Sequence, residues 1–290
     1  MIVEREPDAL RRWVRERRAA GERIGFVPTM GALHEGHLRL VDRAAAQADR
    51  VIASVFVNPL QFAPGEDLAA YPRNEERDRA LLAERGAALV FLPSVEVMYP
   101  GAPAIRLVAP DLTRTLCAPH RPGHFEGVLT VVAKLFHLCE PDVAVFGRKD
   151  AQQALLIRRM AADLDFAVHI DVAPTVRETD GLAMSSRNAY LGVADRAAAT
   201  VLSRALEAGH RAWHVGTRSA EAVIAAAEST LESEPRFRPQ YVELVDQDRL
   251  GPIVIATGDA LLAVAGFVGT TRLIDNIVLG EGLAGDVRVD

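Results

Sequence analysis

Short apolar runs alternate with helix-patterned segments between residues 24 and 172 of this chain. The runs lie at 24–27, 51–57, 88–93, 142–146 and 166–172. Continuous runs of this kind, rich in β-branched side chains, are typical of strands buried on both faces of a parallel sheet. Strands that alternate with helices imply parallel pairing through right-handed crossovers. The sequence therefore predicts an α/β fold with a Rossmann-like parallel sheet.

The character of the sequence changes beyond Pro174. A polar loop at 175–188 is followed by Ala-rich helical patterns at 194–208 and 220–232, and then by strand patterns at 241–245, 260–265 and 271–278. This mixture predicts a smaller α+β C-terminal domain. We therefore predict a catalytic domain at 1–175 and a lid domain at 176–290.

Charge and composition exclude several classes of protein. The formal net charge is −6, whereas a general nucleic-acid binder needs a basic surface. The first residues lack the basic-then-apolar order of a signal peptide, and no apolar run reaches membrane-spanning length. Cys117 and Cys139 form neither a metal-spaced cluster nor a disulfide framework. We therefore expect a soluble cytoplasmic protein without nucleic-acid or membrane partners.

The segment between the first apolar run and the following helix carries two histidines. It reads Pro-Thr-Met-Gly-Ala-Leu-His-Glu-Gly-His at 28–37, with His34 and His37 three residues apart. Gly31 and Gly36 have no Cβ, so a ligand can approach the backbone closely. The helix that follows points unpaired N–H groups and a partial positive charge towards the turn, which favours phosphate. A single histidine near a helix start is usually a cap or a surface residue, but two at this spacing favour a phosphate site.

Other polar clusters follow later strands of the predicted sheet. Asn58 and Gln61 come after the second run, Lys149 comes after the fourth, and a Met-Ser-Ser-Arg segment ending at Arg187 lies in the polar loop. Because the carboxyl ends of parallel strands meet at one edge, we expect these clusters to share a crevice with the histidines. A loop Asn or Gln is more often just a turn former or solvated, and that alternative stays open for Asn58 and Gln61.

These parts favour chemistry at a phosphorus centre. Lys149 and Arg187 would bring positive charge to a polyphosphate, and such groups stabilise developing charge by position and electrostatics. No serine or cysteine has an adjacent base that would make it a nucleophile. We therefore expect attack on the α-phosphate of ATP with pyrophosphate as the leaving group, which is adenylyl transfer in a nucleotide-binding domain.

Several segments together resemble the pantoate–β-alanine ligase family. They occur in order along nearly the whole chain, at 28–37, 57–62, 71–73, 121–125, 147–153, 181–188 and 270–276. The family lies within the wider class of His-x-Gly-His nucleotidyltransferases, which includes class I aminoacyl-tRNA synthetases. Within that class, the Met-Ser-Ser-Arg segment at 184–187 resembles the second, mobile ATP-binding signature.

The resemblance implies an ATP-dependent condensation of (R)-pantoate with β-alanine in two steps. The pantoate carboxylate would attack the α-phosphate of ATP to give pantoyl adenylate and pyrophosphate. The β-alanine amine would then attack the acyl carbon to give pantothenate and AMP. The resemblance also implies a homodimer, and Mg²⁺ bound with the phosphates of ATP.

The resemblance assigns roles to matched positions. The catalytic residues would be His34, His37, Lys149 and Arg187, with His37 as the proton donor. ATP would be bound by the following residues: Met30, Gly31, Ala32, Leu33, His34, Glu35, Gly36, His37, Gly147, Arg148, Lys149, Asp150, Val176, Met184, Ser185, Ser186 and Arg187.

Three further residues are assigned by resemblance to the other substrates and to the metal. Gln61 and Gln153 would hydrogen-bond pantoate, and Gln61 would also bind β-alanine. Asp78 would help to hold magnesium, although sites for such hard cations often consist mostly of water and phosphate oxygens.

Two positions depart from the family pattern. Arg148 stands where many members have an acidic residue, and Cys117 stands where many have glutamate. The Arg148 charge would either tighten nucleotide binding or merely face solvent. Cys117 removes a polar contact, so we leave that position out of the predicted site.

Other functions are weighed against this one. Another adenylate-forming ligase or nucleotidyltransferase on the same scaffold would keep most of these residues. A non-catalytic nucleotide-binding module would keep the glycines but could lose the histidine pair or Lys149, which are all present. A tRNA-charging enzyme is disfavoured, because the chain is acidic and has no recognisable anticodon domain.

Overall fold

A parallel sheet of six strands is the centre of the first part of the computed structural model, which describes residues 1–289. The strand order is β1-β4-β3-β2-β5-β6, and neighbouring strands run parallel. The predicted α/β class with a parallel sheet is confirmed. The strands are β1 (Ile2–Glu4), β2 (Ile24–Thr29), β3 (Arg50–Val55), β4 (Leu89–Phe91), β5 (Val143–Gly147) and β6 (His169–Ala173).

Helices connect these strands, and the helix after β2 packs closely on its own strand. The helices are α1 (Pro7–Ala19), α2 (Glu35–Ala45), α3 (Glu75–Glu84), α4 (Val95–Met98), α5 (His124–Cys139) and α6 (Ala151–Asp163). Leu40, Val41 and Ala44 of α2 recur at helical spacing and are buried. A Cβ at Gly25 of β2 would lie 3.2 Å from the Cβ of Ala44. The small residue therefore lets α2 lie directly on β2, which fixes where the histidine turn between them stands.

A smaller antiparallel sheet with helices follows, as the sequence predicts. Its strand order is β10-β9-β8, and a separate short pair joins β7 and β11 in parallel. Leu206, Val223 and Leu262 belong to the buried core of this part. The elements are β7 (Val176–Arg177), α7 (Val193–Ala198), α8 (Val201–His214), α9 (Ala220–Glu232), β8 (Phe237–Val245), β9 (Leu261–Val268), β10 (Thr271–Val278) and β11 (Val287–Arg288).

Some boundaries differ from the sequence prediction. The helix expected at 194–208 is broken into α7 and α8, because the Thr200 hydroxyl donates to the Ala197 carbonyl (2.8 Å) and competes with the helical backbone bonds. Helix α5 begins at His124 rather than near Val128, because Gly123 takes a φ of 79° and turns the chain directly into the helix. The short elements β1 and α4 were not predicted.

The chain forms two compact units. The first comprises Met1–Ala109, Arg121–Gly147 and Leu156–Ala173, and the second comprises Pro110–His120, Arg148–Leu155 and the described residues from Pro174 onwards. The domain boundary between residues 175 and 176 stays a prediction about separately folding parts. No helix in the described part of the chain combines the length and apolar character that crossing a membrane requires.

Candidate active site

The turn between β2 and α2 is held by the strand ends beneath it. The Thr29 hydroxyl donates to the carbonyl of Ser54 (2.8 Å) and accepts from the N–H of Gly31 (3.1 Å). Gly31 has a φ of 83°, and Ala32 follows with a φ of 52°. A Cβ at Gly31 would lie 2.9 Å from a carboxylate oxygen of Asp78. The turn therefore requires glycine at 31, and it holds a non-glycine residue in the left-handed region at 32.

Helix α3 fixes the same turn through two adjacent residues. One carboxylate oxygen of Asp78 accepts from the N–H of Ala32 (2.9 Å), and the other accepts from the N–H of Leu33 (2.8 Å). Arg77 donates to the Leu33 carbonyl at 3.0 Å. Charge-assisted hydrogen bonds of this kind are stronger than neutral ones. They keep Ala32 in its left-handed conformation and set the path of the chain into α2.

The surroundings of Asp78 do not fit its predicted role in binding magnesium. Both oxygens already accept backbone hydrogen bonds, and the residue is only 2% exposed. Magnesium needs accessible oxygens and keeps several of its waters. Within residues 1–289, no group of three or more His, Cys, Asp or Glu residues is arranged to hold a metal ion. Asp78 therefore supports the turn, and a part for it in holding magnesium stays a prediction.

His34 and His37 lie side by side at the start of α2. Their ring centroids are 4.1 Å apart, and the rings are tilted by 41°. The Nδ1 of His37 accepts from the backbone N–H of His34 at 3.4 Å. A neutral imidazole that accepts at Nδ1 carries its proton on Nε2. His37 can therefore present an N–H donor at Nε2, next to the first backbone N–H groups of α2.

The Gln61 amide is held in one orientation in the first unit. It donates to the sulfur of Met30 (3.1 Å) and accepts from the amide of Asn58 (3.1 Å). Asn58 also donates to the carbonyl of Gly127 (3.1 Å) and accepts from the Tyr99 hydroxyl (2.9 Å). Since the Gln61 nitrogen carries two hydrogens, one remains for a ligand. Asn58, which is 1% exposed, also accepts from the N–H of Leu60 (3.3 Å), so it is a buried turn former that supports Gln61.

The backbone at Gln61 is fixed by α5. A Cβ at Gly127 would lie 2.3 Å from the carbonyl oxygen of Leu60, so only glycine lets the helix pass this close. The Nδ1 of His124 lies 2.8 Å from the carbonyl oxygen of Gln61, and Arg121 donates to the same oxygen at 3.3 Å. Two side chains and a close helix contact therefore determine where Gln61 stands.

Arg121 is itself held by Glu66, a residue that the sequence analysis did not single out. Two parallel hydrogen bonds of 2.8 and 2.6 Å join the guanidinium to the carboxylate. Burial raises the pKa of Glu66, but the hydrogen bonds and charge of Arg121 outweigh it, and the pKa lies below its ordinary value. Glu66 is thus charged at neutral pH and keeps Arg121 on the Gln61 carbonyl.

In the second unit, the segment Arg148–Asp150 is a single turn of 3₁₀ helix. The Asn276 amide of β10 donates to the carbonyls of Arg148 (3.1 Å) and Lys149 (2.8 Å). The Arg148 side chain is 20% exposed and pairs with Glu281, so it does not merely face solvent. Its charge is balanced within the same unit.

The two glutamines of α6 have different surroundings. Gln152 is buried, accepts from the N–H of Cys117 (2.9 Å) and donates to the carbonyl of Thr115 (3.0 Å). Gln153 is only partly buried. Gln152 therefore supports the fold, while a pantoate contact for Gln153 stays a prediction.

Cys117 lies in the interior of the second unit. Its sulfur is 3.2 Å from the Tyr241 hydroxyl and 3.5 Å from a guanidinium nitrogen of Arg272. Burial, with the neighbouring thiol, raises the pKa of Tyr241. This departure from the family pattern thus changes an internal contact, and it remains outside the predicted site.

The polar loop after β7 is supported by Arg177, which sequence reasoning missed. The Arg177 side chain is fully buried and donates to both oxygens of Asp275 (2.7 and 2.9 Å). It also donates to Asp286 (2.6 Å) and to the carbonyl of Gly181 (3.0 Å). Burial lowers the pKa of the guanidinium, but the two carboxylates outweigh it and the pKa is raised. No local signal reveals this cluster, because the carboxylates lie 98 and 109 residues away in sequence.

The loop closes on itself around the Met-Ser-Ser-Arg segment. The N–H of Met184 donates to the carbonyl of Val176 (2.9 Å), and the hydroxyl oxygen of Ser185 accepts from the N–H of Arg187 (3.3 Å). Asn188 donates to a carbonyl of the same loop at 3.2 Å. The backbone of the predicted ATP-binding signature is therefore ordered by contacts inside the second unit.

The predicted site residues divide between the two units. The first unit holds residues 30–37, Gln61, Asp78 and Gly147, and it brings Gln61 to Met30 and Asp78 to Ala32. The second unit holds residues 148–150, Gln153, Val176 and residues 184–187. The roles of these residues towards ATP, pantoate and β-alanine stay predictions.

Comparison with known proteins places the chain in a family. A family model described as Pantoate-beta-alanine ligase matches residues 2–278. The pantothenate synthetase of Thermoanaerobacter sp. (strain X514) is 49% identical over 283 residues, which cover 98% of this chain and 100% of that protein. The pantothenate synthetase of Acidobacterium capsulatum is 54% identical over 261 residues, which cover 89% of this chain and 86% of that protein.

Solved structures agree with these matches. The crystal structure of pantothenate synthetase from Thermus thermophilus is similar with a TM-score of 0.90 and 49% identity, covering 96% of this chain and 99% of that one. The pantoate-beta-alanine ligase of Francisella tularensis, solved in complex with beta-gamma ATP and beta-alanine, has a TM-score of 0.80 and 32% identity, covering 97% of this chain and 98% of that one. The chain described here belongs to the pantoate–β-alanine ligase family.

Proposed function

We propose that this chain catalyses the ATP-dependent condensation of (R)-pantoate with β-alanine to give pantothenate, AMP and pyrophosphate. Family membership over nearly the whole chain supports this function. The observation that carries it is the turn at 28–37. There Asp78 holds a left-handed turn, and the turn sets His34 and His37 at the N-terminus of α2. This arrangement suits a phosphate group that gains negative charge during a reaction.

In the first step, a carboxylate oxygen of pantoate attacks the α-phosphorus of ATP, and the bond to pyrophosphate breaks. Negative charge increases on the oxygens around phosphorus and on the leaving pyrophosphate. The Nε2–H of His37 and the N-terminal N–H groups of α2 would donate to those oxygens. In this proposal Lys149 and Arg187 would supply positive charge, which is worth most where water is excluded.

In the second step, the β-alanine amine attacks the acyl carbon of pantoyl adenylate. The bond between that carbon and the AMP oxygen breaks, and the nitrogen loses a proton as the amide forms. Gln61 would hold the pantoyl group through the amide hydrogen that Met30 does not use. Because Asn58 fixes the rest of this amide, its donor is oriented before substrate arrives.

The finer parts of the proposal concern the ion, the assembly and the compartment. Mg²⁺ would accompany ATP as a counter-ion held by phosphate and water oxygens, since both Asp78 oxygens are engaged by the backbone. A homodimer that works in the cytoplasm is proposed by analogy with the family.

The first experiment is to measure AMP formed from ATP and pantoate, with and without β-alanine. We expect AMP and pantothenate, identified by mass, only when all three substrates are present. Pyrophosphate release with pantoate but no amide product would keep the adenylation step and point to another amine, which is the case of a different ligase on this scaffold. Absence of turnover with pantoate and β-alanine would overturn the proposal.

A further inference from the structure

Asp275 and Asn276 are adjacent polar residues that are buried in strand β10. Their exposures are 2% and 4%. Side chains alternate between the two faces of a strand, so Asp275 shares its face with the core residues Leu273 and Ile277, and Asn276 points to the other face. Burial of two polar side chains in a strand is unfavourable unless both are hydrogen-bonded. Asn276 is bonded directly to the 148–150 segment, whereas Asp275 is bonded to Arg177, which in turn bonds the polar loop at Gly181.

On one face, Asp275 holds the loop that carries residues 184–187. Both of its oxygens accept from Arg177, and Arg177 donates to the Gly181 carbonyl in the middle of that loop. A buried guanidinium with paired hydrogen bonds has a defined orientation as well as a compensated charge. Arg177 therefore links the loop to β10, while Arg196 of α7 holds the same loop separately at Glu178 and Asp180.

On the other face, Asn276 holds the segment 148–150. Its nitrogen donates to the carbonyls of Arg148 (3.1 Å) and Lys149 (2.8 Å). A rotated amide would place its oxygen against two carbonyl oxygens, so the observed orientation is the one the surroundings require. The Asn276 amide oxygen is buried without a hydrogen-bond partner. An unsatisfied buried acceptor is unfavourable, but the two hydrogen bonds from the Asn276 nitrogen to the carbonyls outweigh that cost.

The two faces are joined at one peptide unit. The N–H of Asn276 donates to an oxygen of Asp275 at 2.8 Å. In the sheet, Asp275 pairs with Val264 and Asn276 with Ala263 of β9. The contact to the loop and the contact to the 148–150 segment therefore start from neighbouring positions of one well-paired strand.

We propose that Asp275 and Asn276 are positioning residues that keep the two ATP-binding segments of the second unit, 148–150 and 184–187, at a fixed spacing. This inference rests on the proposed function, because that function assigns both segments to ATP. The pair acts through the backbone that carries Lys149 and the loop that carries Arg187, and contact between the pair and the nucleotide is not required.

The test is the isosteric substitution Asn276→Asp, measured by steady-state kinetics with each substrate varied in turn. The new carboxylate would face the carbonyls of Arg148 and Lys149, so we expect the KM for ATP to rise by about tenfold or more. The KM for β-alanine should stay within about twofold. Asp275→Asn should act in the same direction but less strongly, because Arg177 keeps its bond to Asp286.

Gln247→Glu is the matched control. Gln247 also donates from its amide to a backbone carbonyl, that of Asp259 (2.6 Å), in the connection between β8 and β9. The same amide-to-carboxylate change should leave both KM values unchanged there. Hydrogen exchange adds a readout that a general loss of stability would not give. Amides at 148–150 should exchange faster in Asn276→Asp and amides at 182–187 should exchange faster in Asp275→Asn, while those of α9 keep the wild-type rate in both variants.

The outcomes separate this inference from the proposed function. A folded Asn276→Asp protein with a wild-type KM for ATP would overturn the positioning role. If that variant does not fold, a wild-type KM for ATP in Asp275→Asn would overturn it instead. If wild-type protein does not turn over pantoate and β-alanine, the proposed function fails. Calorimetric binding of ATP to wild type and variant then tests the positioning role alone, and equal affinity, or no binding by wild type, would overturn it.

Discussion

The N–H of Leu33 donates to a carboxylate oxygen of Asp78 at 2.8 Å, which joins the histidine turn to a helix 45 residues further along the chain. The second oxygen of Asp78 binds the next N–H towards the N-terminus, that of Ala32. The position of His34 and His37 therefore depends on a carboxylate that belongs to neither the turn nor its helix.

Asp78→Asn tests this support. The new amide keeps the shape of the side chain but points an NH₂ group at a backbone N–H, which removes a charge-assisted hydrogen bond worth about 1.5–3 kcal/mol. We expect kcat/KM for ATP to fall by about 10- to 100-fold, with the Mg²⁺ concentration for half-maximal activity unchanged. A large rise in that concentration would instead support metal binding by Asp78. The exposed neighbour Glu76, changed to Gln, is the control.

His37→Ala should lower kcat by about two to four orders of magnitude and leave the fold intact. The side chain is only partly buried at a helix start, so its removal makes no core cavity. His37→Gln keeps an N–H donor near the position of Nε2, and we expect it to recover part of the rate. Circular dichroism and thermal unfolding check the fold. A wild-type kcat in the alanine variant would rule out the assigned role.

Gln61→Ala should weaken pantoate capture more than ATP binding. The substitution removes the amide that Asn58 and Met30 orient, and we expect the KM for pantoate to rise by about tenfold, equivalent to about 1.4 kcal/mol. Tyr99→Phe removes only the hydroxyl that donates to Asn58, so it should give a smaller rise in the same constant. Equal losses for pantoate and ATP would contradict the assignment of Gln61.

The ion pair between Glu66 and Arg121 should make stability depend on pH in the acid range. The folded-state pKa of Glu66 lies below the unfolded value of about 4.3, so the pair stabilises the fold above that pH and the contribution is lost as pH falls through the lowered pKa. We expect Glu66→Gln to lower the free energy of unfolding at pH 7 by about 1 kcal/mol. Urea unfolding at pH 7 and below pH 4 checks this, since the difference from wild type should shrink in acid.

The parallel sheet and the histidine turn could be predicted because their signals are local. Apolar runs, glycines and histidine spacing each lie within about one turn or strand of sequence, and the helix N-terminus supplies the physical reason for a phosphate site. Family resemblance added the substrates and the roles of Gln61 and Gln153, which spacing alone left open.

The supports of the site could not be predicted in the same way. Asp78 was assigned to magnesium by the family resemblance, and only the folded geometry shows both of its oxygens on backbone N–H groups. No local sequence pattern marks Glu66 or Arg177, because each forms its ion pair with a residue far away in sequence, and such a pair depends on how the chain folds. Short elements such as β1 were not predicted, because a strand of three residues is too short to show a periodic pattern.

The close passage of α5 over Leu60 has a consequence for engineering substrate choice. A methyl group at Gly127 would lie 2.4 Å from the Leu60 carbonyl carbon, which is too close for unbonded atoms. It would therefore displace the backbone next to Gln61, the residue that is proposed to bind the acid substrate. Mutant libraries built to accept larger or smaller hydroxy acids should therefore keep Gly127 constant and vary side chains on the 58–62 turn. Substitutions on that turn would change the side chains proposed to contact the acid, whereas displacement of the turn itself would weaken the binding of every acid.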